Sequence, residues 1–248
     1  MTDKFLALIP ARYASTRFPG KPLAEIHGKP MIQHVYERAL SVFNHAFVAT
    51  DDVRIEKAVK AFGGNVVMTS EKHKSGTDRC LEALDKVEKQ LKETFDVVIN
   101  IQGDEPFIEA SQLELISSCF EDKSTEIATL VKKIEQQTDL FDINKPKVVL
   151  TADQKAIYFS RQAIPYYRGL EESKWLRQHT YYKHIGLYAY RSQTLRNITK
   201  LPQSELELAE SLEQLRWIEN GYKITVRETH VENMAVDTPA DLQRILRG

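Results

Sequence analysis

Cysteine is nearly absent from this 248-residue chain: only Cys80 and Cys119 occur, with no C-x-x-C and no Cys/His ligand spacing. That excludes a disulfide framework and a thiolate metal site, and both thiols read as reduced core residues in predicted helices of a cytoplasmic protein. No apolar run approaches the roughly 18 residues of a membrane-span candidate, and Arg12 interrupts anything resembling a signal segment. Neither charge is in excess. The 34 basic and 35 acidic residues leave a net charge of −1, so bulk electrostatics makes no case for nucleic acid. Repeats, low-complexity tracts and linkers are also missing, which predicts a single domain over 1–248. Two phosphate-binding fingerprints are absent as well. No G-x-G-x-x-G occurs, and Gly20-Lys21 precedes Pro22 rather than Ser or Thr and has no upstream glycine at Walker spacing.

What is present is an ordinary globular composition, 42% hydrophobic and 28% charged, long enough to bury a large core. The stretch FLALIPARYASTRFPGKP, from Phe5 to Pro22, is the organising one. Its apolar run Phe5–Ile9 is too short for a helix and predicts a buried strand closed by Pro10. A loop follows that carries Arg12, Arg17 and Lys21 among small residues. Cations at this spacing beyond a strand's carboxyl end suit a chain of phosphates, because that end of an open α/β sheet is where ligands sit. Spacing alone fits an ordinary basic surface loop equally well.

Strands and helices alternate after the loop. A helix is predicted from Pro30, at its first position, with Ile32, Val35, Tyr36, Ala39 and Phe43 inward. Strands are predicted at 45–50, 65–69 and 95–101, with helices at 51–62 and 75–92 between them. This pattern predicts a mostly parallel sheet flanked by helices. The second half is less regular, with strands at 126–134, 148–150, 156–159, 184–190 and 223–227. An aromatic- and proline-containing excursion lies at 164–182. A single helix is predicted from about 205 to 220, with Leu208, Leu212, Leu215 and Ile218 on one face.

Several residues could carry chemistry. Gln102-Gly103-Asp104 follows the 95–101 strand, where Gly103 permits a sharp turn and Asp104 either caps it or faces the cationic loop as a Mg²⁺ ligand. In Val236-Asp237-Thr238-Pro239-Ala240-Asp241, Thr238 and Asp241 match a capping box, which would release Asp237; Asp237 is locally as good a cap. Ser75 or Thr77 suits the N-cap of the 75–92 helix. Arg161 and Lys183-His184 lie at strand boundaries, and Glu210, Glu213, Gln214 and Trp217 form a stripe apart from the leucines. Cations with amide and carboxylate side chains suit a hydroxylated acid, and each alone also fits a solvated surface group.

LIPARYASTRFPGKPL, together with HKSGTDR at 73–79, NIQGDEPFI at 100–108, YFSR at 158–161, KHIGLYAY at 183–190, LEQLR at 212–216 and VDTPADL at 236–242, closely resembles the 3-deoxy-manno-octulosonate (Kdo) cytidylyltransferase family. The blocks fall in the family's order over nearly the whole chain. The resemblance implies a Rossmann-like, GT-A-like nucleotidyltransferase α/β fold that transfers CMP from CTP to the anomeric hydroxyl of Kdo for lipopolysaccharide biosynthesis. It also implies a homodimer to which an excursion at about 151–190 contributes. It assigns Asp104 and Asp237 to Mg²⁺, Arg12, Arg17 and Lys21 to the triphosphate, and Ser75, Arg79 and Gln102 to cytidine. Arg161, His184, Glu213 and Gln214 fall to the sugar. Lys183 stands where some members carry arginine and lacks its bidentate geometry. No nucleic acid or membrane partner is implied.

Overall fold

The computed structural model describes residues 4–14, 18–232, 236 and 238–247. In chain order, strand β1 (Phe5–Ala11) is followed by the short pair β2 (Glu25–Ile26) and β3 (Lys29–Pro30), then α1 (Met31–Leu40) and β4 (Ala46–Thr50). Next come α2 (Val53–Ala61), β5 (Val66–Met68), α3 (Gly76–Leu91), β6 (Val97–Asn100) and α4 (Ala110–Ser118). The middle of the chain holds β7 (Ile127–Lys133), α5 (Gln137–Phe141), β8 (Lys147–Leu150), β9 (Ala156–Ser160), α6 (Trp175–Gln178) and β10 (Tyr182–Arg191). The rest is α7 (Ser192–Ile198), α8 (Glu205–Glu210), α9 (Gln214–Glu219), β11 (Ile224–Glu228) and α10 (Pro239–Arg247). Among the described residues no helix is long and apolar enough to cross a membrane.

These elements form two compact units interleaved in sequence. The first holds residues 1–114, 189–199 and 233–248, and the second 115–188 and 200–232. No single cut in the chain separates them.

In the first unit β6, β1, β4 and β5 lie side by side, all parallel. The chain winds outward from β1 through β4 to β5, then returns by α3 to place β6 on the other side of β1. That reversal is the topological switch point of an open α/β sheet, and the crevice beyond the carboxyl ends of β1 and β6 is where ligands bind in such folds. Leu6, Leu8, Ile9, Val48, Val97 and Ile99 are fully buried, as strands covered on both faces require.

Pro10 does not close β1 as expected; the strand runs on to Ala11, with Pro10 opposite Ala49 of β4. The Ala7 amide donates to His45 O on the β4 side, and Leu8 O accepts from Ile101 on the β6 side. By alternation Pro10 also faces the β6 side, where the register has ended at Leu8 opposite Asn100. Its missing N–H therefore costs no ladder bond. Pro30 likewise is the N-cap of α1 rather than its first residue.

The second unit pairs β11 with β7 in parallel and joins β8 antiparallel to both β10 and β9. Trp175 and Tyr181 of the aromatic excursion make a buried cluster with Ile134 and Leu140. The single helix expected over 205–220 is two. Ser204 and Glu207 form a capping box at the start of α8, and Ser211 stops it in the left-handed region at φ 51°. Leu208 is consequently 61% exposed, whereas Leu215 is fully buried in α9.

Candidate active site

The loop after β1 is shaped around Gly20, whose φ of 72° begins a 3-10 turn over Lys21–Leu23. This turn buries the Lys21 stem and brings its Nζ to 2.7 Å from Asp104 Oδ2. Arg12, at the end of β1, donates Nη2 to His73 O. Burial and the neighbouring Arg79 lower the Arg12 guanidinium from its ordinary value, while Asp51 and Asp78 pull the other way. Arg17 lies outside the described residues.

Gly103, after β6, lies in the expected turn, closed by the Glu105 amide donating to Gln102 O at 3.2 Å, but it is not in the left-handed region, so the turn's dihedrals alone do not require a glycine. A Cβ there would sit 2.9 Å from the Pro10 carbonyl oxygen and 3.3 Å from Ile32 Cδ1. Close approach of two backbones requires the glycine, and this approach carries Gln102 and Asp104 up to the β1 loop.

Ser75 caps α3, its Oγ accepting from the Asp78 amide at 3.1 Å. Arg79, one turn along, is wholly buried. It donates Nη2 to Asp51 Oδ2 at 2.5 Å and Nη1 to Thr69 Oγ1 at 2.6 Å, and its Nε has no hydrogen-bond partner among the described residues. Arg12, Lys21, Arg79, Gln102 and Asp104 line one cavity of about 430 Å³. Lys74 lines it too, a residue that sequence reasoning passed over. Its position immediately before the α3 N-cap was the available signal, since a residue there is carried to the mouth of the helix.

The Thr238–Asp241 capping box is present. Asp241 Oδ2 accepts from the Thr238 amide at 2.9 Å and the Asp241 amide donates to Thr238 Oγ1 at 3.2 Å. The cap of α10 therefore needs no help from Asp237, which lies outside the described residues. Its neighbour Val236, fully buried, donates its amide to Asp104 O at 3.2 Å. Among the described residues no group of three or more His, Cys, Asp or Glu could hold a metal by itself. The donor set fits Mg²⁺ nonetheless, because that ion is ordinarily held by one or two carboxylates together with substrate phosphates. Asp104, about one-third exposed, offers an oxygen beyond the one that meets Lys21.

The sugar-site candidates all fall in the second unit. Arg161 is largely engaged in scaffolding: Nε donates to Glu210 O at 2.6 Å, Nη1 to Ile143 O at 3.0 Å and Nη2 to Ser211 O at 3.2 Å. It thereby satisfies carbonyls where α8 ends. Glu210 accepts from Ser160 Oγ and the Arg161 amide. Glu213 Oε1 accepts from Arg216 Nη2 at 2.8 Å. Gln214 is buried and its Nε2 has no hydrogen-bond partner among the described residues. His184 packs between the rings of Phe159 and Tyr188, and desolvation pushes its imidazole down to about 3. Lys183 is buried between Asp139 at 2.8 Å and Glu232 at 2.6 Å, an ion-pair role rather than a sugar contact.

Residues 6–224 match the family model described as cytidylyltransferase. The chain is 60% identical to a 3-deoxy-manno-octulosonate cytidylyltransferase of Parabacteroides distasonis, over 98% of this chain and 97% of that protein. A solved structure described as CMP:2-keto-3-deoxy-manno-octonic acid synthetase complexed with CTP is 45% identical, with a TM-score of 0.89 over 98% of this chain and 97% of that one. At 17% identity, a putative glucose-1-phosphate thymidylyltransferase of Bacillus anthracis shares the fold alone, with a TM-score of 0.64 over 98% of this chain and 94% of that one.

Proposed function

This chain belongs to the 3-deoxy-manno-octulosonate cytidylyltransferase family, and from that premise we propose that it transfers CMP from CTP to the anomeric hydroxyl of Kdo, releasing pyrophosphate. The observation that carries the reading is the Lys21–Asp104 contact at the switch point, where a cation and a metal-competent carboxylate share one cavity. The sugar hydroxyl displaces pyrophosphate from the α-phosphorus, so no side chain forms a covalent intermediate.

Arg12, Lys21 and Lys74 bind the triphosphate and offset charge building on the departing pyrophosphate, work to which fixed positive groups in a partly enclosed site are suited. Arg17 joins them by its place in the loop. Gln102 and the buried Arg79 flank the base, and Ser75 serves it through the helix end it caps. Asp104 and Asp237 are the residues that hold Mg²⁺, supported by the Val236 amide bond to Asp104 O and by the cap that leaves Asp237 uncommitted. Bound there, the ion supplies positive charge to the α-phosphate oxygens. His184, Glu213, Gln214 and the outer hydrogens of Arg161 meet the sugar.

The product serves lipopolysaccharide synthesis, and the enzyme works in the cytoplasm. It acts as a homodimer through the 151–190 excursion, where Ile157 and Tyr166 are exposed.

Pyrophosphate release with Mg²⁺ across four nucleoside triphosphates and a panel of Kdo, amino-Kdo, sialate and sugar 1-phosphates tests the reaction. Turnover confined to CTP with Kdo is expected. Equal turnover of sialate, or none with Kdo, overturns the substrate assignment.

A further inference from the structure

Thr129 lies on β7, fully buried, and the second unit places its hydroxyl at a junction of three partners. Thr129 Oγ1 is 2.7 Å from Leu187 O, 3.2 Å from Ile185 O and 2.9 Å from His184 Nε2. A hydroxyl has a single proton, and carbonyl oxygens only accept. The proton therefore goes to a carbonyl, with Leu187 O the nearer. Toward His184 the oxygen can only accept, so Nε2 carries the imidazole hydrogen. If Thr129 donated to the ring instead, its oxygen would face two carbonyl oxygens with no proton between them. A neutral imidazole protonated at Nε2 has a bare Nδ1, and Nδ1 has no hydrogen-bond partner among the described residues.

We propose that Thr129 is a positioning residue that fixes His184 in the Nε2–H tautomer, so that Nδ1 stands ready to accept a hydrogen bond from a sugar hydroxyl. The inference rests on the reading of His184 as a Kdo contact and deepens it. A bare nitrogen attracts a hydroxyl and repels a carboxylate, so His184 reads a hydroxyl of the acid sugar and leaves its carboxylate to other groups. The rings of Phe159 and Tyr188, 5.2 and 5.1 Å from the imidazole by centroid, hold its plane. The desolvation that keeps the ring neutral agrees with the same picture.

Thr129→Val removes the hydroxyl at nearly constant shape, and Thr129→Ser retains it. Histidine ¹⁵N correlation spectra of the full chain, with His184 assigned by its loss in His184→Gln, should show a protonated Nε2 and an unprotonated Nδ1. In Thr129→Val the tautomer should become mixed or reverse, because Nε2–H would face a methyl group. The KM for Kdo should rise about tenfold and that for CTP stay within twofold, with Thr129→Ser near the parent in both. A parent spectrum with Nδ1 protonated overturns the proposal, as does Thr129→Val with unchanged Kdo kinetics. His184→Gln separates the two possible failures. If it too spares Kdo use, the sugar-site reading has failed; if it impairs Kdo use while Thr129→Val does not, only the Thr129 assignment has.

Discussion

Lys21 Nζ lies 2.7 Å from Asp104 Oδ2, joining residues 83 positions apart in the chain. The lysine is nearly buried and the aspartate about one-third exposed, so the pair is anchored from the lysine side and open on the other. The carboxylate can thus serve as counter-charge and metal ligand together, which places it at the centre of the proposed chemistry.

Asp104→Asn should lower turnover by two to three decades, the roughly 3–4 kcal/mol typical of losing one strong electrostatic partner of a transition state. Far-UV circular dichroism should be unchanged, since Asp104 lies outside the regular elements. Pyrophosphate release at saturating Mg²⁺ measures the effect. A variant within about threefold of the parent removes Asp104 from the metal site.

Gly103→Ala is the smallest change expected to damage the site without touching a charge. The new Cβ would press on the Pro10 carbonyl at 2.9 Å, and a backbone atom cannot swing aside. A cost of about 1–3 kcal/mol is expected from such overpacking, lowering the melting temperature by several degrees. Asp104 would shift with its neighbour, so turnover should fall beyond what stability explains. A melting temperature within about one degree of the parent argues that β6 and β1 can separate freely.

Arg161→Lys separates scaffolding from sugar recognition. Lysine keeps the charge but cannot bridge the carbonyls of Ile143, Glu210 and Ser211. Thermal melting should drop by several degrees and Kdo use by about tenfold, with CTP binding measured without sugar unchanged. An unaltered melting curve would show that the carbonyl contacts hold nothing in place.

Glu82 makes a pH-dependent contribution to stability. Burial alone would raise its carboxyl, but hydrogen bonds from Lys86, the Ser70 amide and His73 outweigh burial and hold it at about 2, below the ordinary 4.5. A depressed folded-state value stabilises fully above pH 4.5 and is lost as pH falls through about 2. Urea midpoints of parent and Glu82→Gln should therefore differ most above pH 4.5 and converge toward pH 2. The same carboxylate holds the loop whose His73 carbonyl receives Arg12, so the variant should also raise the KM for CTP. Parallel midpoints across the range would remove Glu82 as the source of the acid dependence.

Local chemistry made much of this protein legible in its sequence. The helix from Ser75 needs only a capping hydroxyl and one apolar face, and the Thr238–Asp241 box needs only two residues three apart. Nearly continuous apolar runs announced β1, β4 and β6 because strands buried on both faces leave few polar positions, here only Thr50 and Asn100 at the strand ends, and the family blocks pointed to the reaction. Where the chain meets itself depended on tertiary packing. That β6 returns beside β1 brings Asp104 to Lys21, and it makes Gly103 a residue of close approach as well as of a turn. The left-handed Ser211 divides a leucine pattern that periodicity reads as one helix, because a single dihedral leaves no periodic trace. Arg161 holds carbonyls of residues 143, 210 and 211, and Thr129 meets His184 across 55 positions. Each depends on which strands and loops become neighbours, a choice made by the summed burial of the whole fold and not by the residues alongside.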